Sequence, residues 1–101
     1  MNNIKIFDQD LPNDIDLSNE KVIGLDCEAL GLVLGRDPLT LVQLGLGSKK
    51  YFLIKLNRNN YNAPNLKKLL SNNKIQFIMH YARQDLLWLK FHLGIKIENI
   101  F

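Results

Sequence analysis

Three carboxylates in this chain have the spacing and the neighbours to bind a cation. Asp26 and Glu28 lie two residues apart in Asp26-Cys27-Glu28, directly after the apolar run Val22-Ile23-Gly24-Leu25. Asp85 closes the segment His80-Tyr81-Ala82-Arg83-Gln84-Asp85, which follows a second apolar run, Ile75-Gln76-Phe77-Ile78-Met79. Carboxylates at the end of a buried strand are costly unless they are paired or hold a cation. Side chains two apart on a strand point the same way, so Asp26 and Glu28 can share one ion. Three carboxylates from two such elements, meeting at one end of a sheet, suit hard divalent cations such as magnesium. Metal-assisted cleavage of a phosphodiester is the reaction class that follows.

The elements that must position these groups can be read from the pattern. A strand over residues 22–27 puts Ile23, Leu25 and Cys27 on one face and Val22, Gly24, Asp26 and Glu28 on the other. Residues 3–7 read as a short edge strand, and 8–20 as a polar loop. Two glycines and an Asp-Pro step make 31–38 a turn region. Residues 39–46 and 51–56 read as strands joined by a short turn, which gives an antiparallel meander of three strands. Leu66, Leu69 and Leu70 stand at helical spacing in a helix over 63–70, with Pro64 tolerated in its first turn. A short buried strand over 75–79 leads into a helix over 82–93, with Leu86, Leu89 and Leu93 on one face and Gly94 as its stop. Residues 95–100 form a last extended piece. From residue 22 the order is β-β-β-α-β-α, which predicts a mixed sheet covered by helices.

Composition bounds the answer. A chain of 101 residues, 47% hydrophobic and 23% charged, fits one globular domain and excludes wholesale disorder. No apolar run approaches the roughly 20 residues that span a bilayer. Met1-Asn2-Asn3 opens directly into mixed sequence with no signal peptide, and the lone Cys27 cannot form an internal disulfide. A cytoplasmic home is the expectation. The net charge of +3 is unevenly spread: residues 1–20 carry Asp8, Asp10, Asp14, Asp16 and Glu20 against Lys5 alone. The body of the chain, 21–101, is therefore basic around a small acidic centre, which suits a polyanion held near metal ions. A solvated lysine-rich surface accounts for the same charges.

Other residues have bland readings that compete with functional ones. His80, at a strand-to-helix junction, reads as structural rather than as a general base. Cys27 faces away from its acidic neighbours and reads as a packed small hydrophobe. Gln43, inside an apolar strand, must find partners and reads as structural. Lys49-Lys50 and Lys67-Lys68 read as solvated, and Trp88 and Phe91 as core.

Taken in order, these segments resemble the first half of a DEDD-type 3′–5′ exonuclease domain of the ribonuclease D family. Asp26-Cys27-Glu28 is similar to the first motif, Asp-x-Glu at the end of the first core strand. Leu39-Thr40-Leu41-Val42-Gln43-Leu44 and Tyr51-Phe52-Leu53-Ile54 resemble the two strands that follow. His80-Tyr81-Ala82-Arg83-Gln84-Asp85-Leu86 is similar to the second motif, His-x-Ala-x-x-Asp-Leu, and Asn99-Ile100-Phe101 resembles the approach to the next strand. The resemblance implies an α/β ribonuclease H-like exonuclease fold, a mixed sheet with flanking helices, incomplete at its C-terminus. It implies two magnesium or manganese ions on Asp26, Glu28 and Asp85, and the 3′ end of single-stranded RNA or DNA as substrate. Asp26 would bridge both ions, Glu28 would bind the water-carrying ion, and Asp85 would act mainly through water.

The family also has a third motif far downstream, a tyrosine or histidine followed four residues later by an aspartate, and residues 1–101 contain no such downstream segment. The expectation is therefore the N-terminal half of an exonuclease domain, with residues 1–20 as acidic edge strand and loop and 21–101 as core. Its two-ion site would be weakened, and a second chain is a candidate to complete it. Two rivals stand beside this reading: a non-catalytic remnant or nucleic-acid-binding fragment of the same ancestry, and a small α/β interaction domain.

Overall fold

The computed structural model of the chain describes residues 3–30, 37–47, 49–57, 59–79 and 82–100. His80, Tyr81 and most of the 31–38 turn lie outside these residues. The elements are β1 (Asn3–Asp8), β2 (Val22–Ala29), β3 (Leu39–Gly45), β4 (Lys50–Lys55), α1 (Pro64–Leu70), β5 (Gln76–Ile78) and α2 (Ala82–Leu93). The strands form one five-stranded mixed sheet in the order β1-β4-β3-β2-β5. β2, β3 and β4 are the expected antiparallel meander, while β1 and β5 join its two sides in parallel.

Register assigns the faces, because directly paired residues point to the same side of a sheet. Leu25 pairs with Leu44, and Leu44 with Phe52; Cys27 pairs with Val42, and Val42 with Ile54. With Ile23 and Phe77 these residues form the buried face. Leu66, Leu69 and Leu70 of α1 and Trp88, Leu89 and Leu93 of α2 belong to the same apolar cluster. Both helices thus pack on one side. The alternation that predicted these contacts holds for Leu89 and Leu93, which are buried, while Leu86 is only half-buried.

Phe91 corrects the sequence reading: it is 51% exposed, whereas Trp88 is 3% exposed. Successive helical residues are about 100° apart, so Phe91 lies with Leu87 on the outer side of α2. Half a domain is expected to leave apolar surface uncovered either along Leu86, Leu89 and Leu93 or beside the strand at 75–79. Leu89 and Leu93 are buried, whereas Ile78 and Val22 on the neighbouring strand are exposed, as are Ile4 and Ile6 on the same face.

The 8–20 segment is more than a loop. Gln9 takes a left-handed backbone conformation (φ 75°) immediately after β1. Its side-chain amide donates to the carbonyls of Asn60 and Asn62. The chain then turns so that the Asp10 carboxylate accepts from the backbone N–H groups of Asn65 (2.9 Å) and Leu66 (2.7 Å). These are orphan donors in the first turn of α1, whose own N-cap, Ala63, has no side chain to offer. Asn65 donates in return to the Leu11 carbonyl and to Asn13.

After α2, residues 95–100 return to the sheet. Gly94 takes φ 67° at the helix C-terminus, a conformation that glycine adopts without steric cost. Ile100 then makes a parallel bridge to Phe77, and the Phe77 N–H donates to the Asn99 carbonyl at 2.9 Å. Among the described residues no helix is long and apolar enough to cross a membrane.

Candidate metal centre

Asp26 and Asp85 come together because β5 is short. The β2–β5 ladder ends where Gly24 pairs with Ile78. β2 runs on to Asp26, and the chain leaving β5 enters α2 at Ala82. The first turn of α2 therefore comes alongside the part of β2 that has outrun its neighbour. Asp85 sits in that first turn, where the helix dipole favours an acid.

The two carboxyls differ in environment. Asp26 is exposed, and its Oδ1 accepts from the Cys27 N–H at 2.9 Å. Asp85 is 7% exposed and is the one buried charged residue among those described. Burial raises the Asp85 pKa first, the negative charge of Asp26 second, and a side-chain hydrogen bond with Asp26 third. The Cys27 backbone N–H opposes these, and the outcome is a pKa pushed up to about 6. Asp85 Oδ2 is buried and has no hydrogen-bond partner. An acceptor oxygen left unpaired in the interior, beside a second carboxylate, is what a bound cation would satisfy. The donor set, all oxygen, fits magnesium or manganese.

Glu28 follows Asp26 on the same face of β2, as alternation requires, but is exposed. No three His, Cys, Asp or Glu side chains among the described residues are grouped closely enough to hold a metal ion. The structure thus joins Asp26 to Asp85 and leaves Glu28 apart from the pair. The β2–β3 register shifts between Glu28 and Ala29. A bulge re-aims the side chains beside it. The Glu28 carbonyl accepts from the Thr40 hydroxyl at 3.1 Å.

Gln43 acquires a place that its sequence did not reveal. It lies directly opposite Asp26 in the β2–β3 register, on the same face and half-buried. A polar residue in an apolar strand was a visible signal; the strand pairing that puts it beside Asp26 was not. Cys27 is half-buried against the core. Burial, then the charges of Asp85 and Asp26, push its thiol pKa up, so it stays protonated and is no nucleophile.

His92, unremarked in the sequence, is seven residues beyond Asp85 along α2. It stacks on Trp88 (5.3 Å between ring centroids, planes 5° apart) and touches Tyr61. Burial lowers its pKa. A cleft of about 360 Å³ between the 11–18 segment and α1, lined by Leu11, Asp16, Ser18 and Lys68 among others, includes none of the three candidate carboxylates.

A family model described as 3′–5′ exonuclease matches residues 4–101. No curated protein matches the chain. Among solved structures, NrnC of Brucella melitensis is 34% identical with a TM-score of 0.90, the match covering 98% of this chain and 48% of NrnC. Forms of NrnC bound to pGG and with bound Mg²⁺ match equally, at TM-scores of 0.92 and 0.90. Ribonuclease D of Trypanosoma brucei, in complex with RNA U12, shares the fold at 24% identity and a TM-score of 0.67, over 81% of this chain and 30% of that one. Escherichia coli ribonuclease D does so at 22% identity and 0.67, over 83% and 22%. This chain spans about half the length of NrnC.

Proposed function

The chain belongs to the 3′–5′ exonuclease family, with a ribonuclease D-like fold, and from that premise we propose that it provides the metal-binding half of an exonuclease acting on RNA or DNA. The observation that carries this reading is the buried, unpartnered Asp85 oxygen against Asp26. Two divalent ions held by Asp26, Glu28 and Asp85 would supply water activation and stabilisation of the leaving 3′-oxygen. Asp26, exposed on β2 beyond the end of its ladder with β5, would be the ligand open to substrate. Asp85, held by its helix turn, would fix the position of the pair and keep one side of it dry. Glu28 would join when its side chain swings along the face it shares with Asp26.

The substrate would be a single-stranded 3′ end. NrnC bound to pGG supports a nucleic-acid ligand, and NrnC with Mg²⁺ supports a divalent cofactor. Exposed Lys49, Lys50, Lys68, Lys74, Lys90 and Lys96 supply the sequence-independent attraction for phosphates. Residues 1–101 carry three of the four carboxylates that the family uses, and none of its downstream water-orienting side chain. By themselves they should show little or no cleavage, since even slight misplacement of reacting groups costs on the order of a hundredfold.

The test uses 5′-labelled and 3′-labelled single-stranded RNA and DNA with magnesium or manganese, and Asp26→Ala as control. The expected result is weak retention of the strands and negligible shortening. Robust 3′–5′ shortening that Asp26→Ala abolishes would overturn the incompleteness and keep the chemistry. Shortening unaffected by Asp26→Ala would overturn the site.

A further inference from the structure

One side of α2 carries Asp85, Trp88 and His92 in succession, at helical spacing. The first is a candidate metal ligand, and the last lies two turns further on, about 10 Å along the helix. His92 belongs to a small aromatic cluster. Its imidazole is stacked on Trp88, 5.3 Å between centroids and 5° from parallel. It also meets Tyr61 at 4.9 Å and makes an edge contact with Phe91 at 5.0 Å. Trp88 is buried in the core, so the ring against which His92 stacks is itself held. His92 Nε2 is buried and has no hydrogen-bond partner. The backbone carbonyl of Asp37 lies against the same imidazole.

The cluster reaches the metal centre through the start of β3. The Tyr61 hydroxyl donates to the Leu39 carbonyl at 3.0 Å. Asp37 and Leu39 are thus engaged by two rings that touch each other, one from α2 and one from the segment before α1. The same stretch is tied to the end of β2. The Leu30 N–H donates to the Pro38 carbonyl at 3.1 Å, Ala29 pairs with Leu39, and the Thr40 hydroxyl donates to the Glu28 carbonyl at 3.1 Å. The bulge between Glu28 and Ala29 lies within these contacts. At a bulge the ladder is interrupted, so the direction of the side chains beside it depends on what else holds the backbone. α2 therefore acts on the centre from both ends: it carries Asp85 at one, and at the other its His92 braces the strand that holds Glu28.

We propose that Tyr61 and His92 are positioning residues, a clamp that fixes the start of β3 against α2 and with it the aim of Glu28, and that protonation of His92 opens the clamp. An imidazolium at this place puts a buried N–H at Nε2 with no acceptor. The groups that face the ring are Tyr61, from the segment before α1, Asp37, from the approach to β3, and Trp88 and Phe91 of α2 itself; Lys90, two residues away on α2, is exposed. Burial lowers the His92 pKa from its ordinary 6.5, and the Asp37 carbonyl opposes this. The folded chain thus prefers the neutral ring. Stability from the clamp is fully present above about pH 6.5 and is lost as pH falls through the lower folded value. The clamp requires only these contacts; its effect on the metal centre rests on the exonuclease reading.

Trp88 is the single tryptophan of the chain, so its emission reports the charge and position of the imidazole stacked on it. Followed from pH 8 to pH 5 without metal, the emission should show a transition with its midpoint below 6.5. The transition should persist in Asp85→Asn, which removes the titrating carboxyl on the same helix face, and vanish in His92→Phe, which keeps a ring in the stack. Hydrogen exchange of the Leu30 N–H, corrected for its intrinsic rate, should quicken across the same transition. Tyr61→Phe should quicken it at every pH by about threefold to tenfold, the range that one lost hydrogen bond allows. The same variant should lower manganese affinity at pH 7.5 by a similar factor. Far-ultraviolet spectra check that these conservative variants fold. A transition lost in Asp85→Asn, or kept in His92→Phe, overturns the opening by His92. Leu30 exchange indifferent to Tyr61→Phe overturns the clamp. Manganese bound equally by the wild type and Tyr61→Phe overturns the link to Glu28. Emission and exchange as expected, with no manganese bound by the wild type, sinks the metal centre and leaves the clamp standing.

Discussion

Asp85, buried in the first turn of α2, has its carboxyl beside that of Asp26, which is exposed on β2. Two carboxyls in contact cannot both ionise freely, and the buried one gives way. Its folded-state pKa of about 6 stands above the ordinary value of 3.8. The proton is therefore held more tightly in the folded chain than in the unfolded one. Stability from this source is fully present below about pH 4 and is lost as pH rises through 6. Asp85→Asn mimics the protonated form at every pH. Without divalent cations, the variant and the wild type should have similar denaturation midpoints at pH 4, and the variant should be the more stable at pH 7.5. Equal midpoints at both pH values would show that the pair is uncoupled.

A cation bound at the pair should reverse that preference. At pH 7.5, magnesium or manganese should raise the melting temperature of the wild type, and by less in Asp26→Asn and Asp85→Asn. A ligand at a hundred times its dissociation constant contributes about 2.7 kcal/mol to stability. Thermal melts across a metal titration, with potassium chloride matched for ionic strength, measure it. A rise of equal size in all three proteins would place the metal elsewhere.

Asp10→Ala should destabilise the fold by about 1–2 kcal/mol, the cost of an N-cap carboxylate. It leaves the N–H groups of Asn65 and Leu66 without acceptors. For a chain of this size that corresponds to a fall of roughly 4–15 °C in melting temperature. Hydrogen exchange should quicken first in the opening turn of α1. Asp14→Ala, on an exposed acid of the same segment, is the control and should change little.

The two sides of α2 should respond unequally. Leu89→Ala removes a wholly buried side chain and should cost about 2–5 kcal/mol. Phe91→Ser, on the outer side, should stay within about 0.5 kcal/mol of wild type. Urea denaturation of the two variants separates them. A large loss in Phe91→Ser would mean that the ring is covered by something in solution.

Strands β2, β3 and β4 and both helices were legible because each combines local periodicity with a local stop signal. Gly94, Pro64 and the turn before Lys50 bound their elements without help from distant residues. The pairing of β1 with β4 was not legible, since it joins segments separated by the whole β2–β3 hairpin and nothing in residues 3–7 names a partner. Asp10 was hidden for the same reason: a carboxylate in a polar loop looks solvated until the helix it caps is known. Spacing and position singled out Asp26 and Asp85 as candidate ligands, and the fold brings these two carboxyls near each other. The place of Gln43 depended on a register that only the assembled sheet supplies. Phe91 misled because helical spacing tolerates either side of α2 as the apolar one when aromatic residues occupy both.

The manner in which β1 is attached has a consequence for the order of folding. Its ladder to β4 is parallel and non-local, so it must wait until the β2–β3–β4 meander exists, and it closes a long loop for little apolar burial. Gln9 and Asp10 follow directly, and through them the first turn of α1 is completed by the same docking event. The N-terminal segment and α1 therefore form one late, cooperative clasp. Substitutions at Ile6 or Asp10 should accelerate unfolding while leaving the folding rate nearly unchanged, the kinetic signature of contacts absent from the transition state.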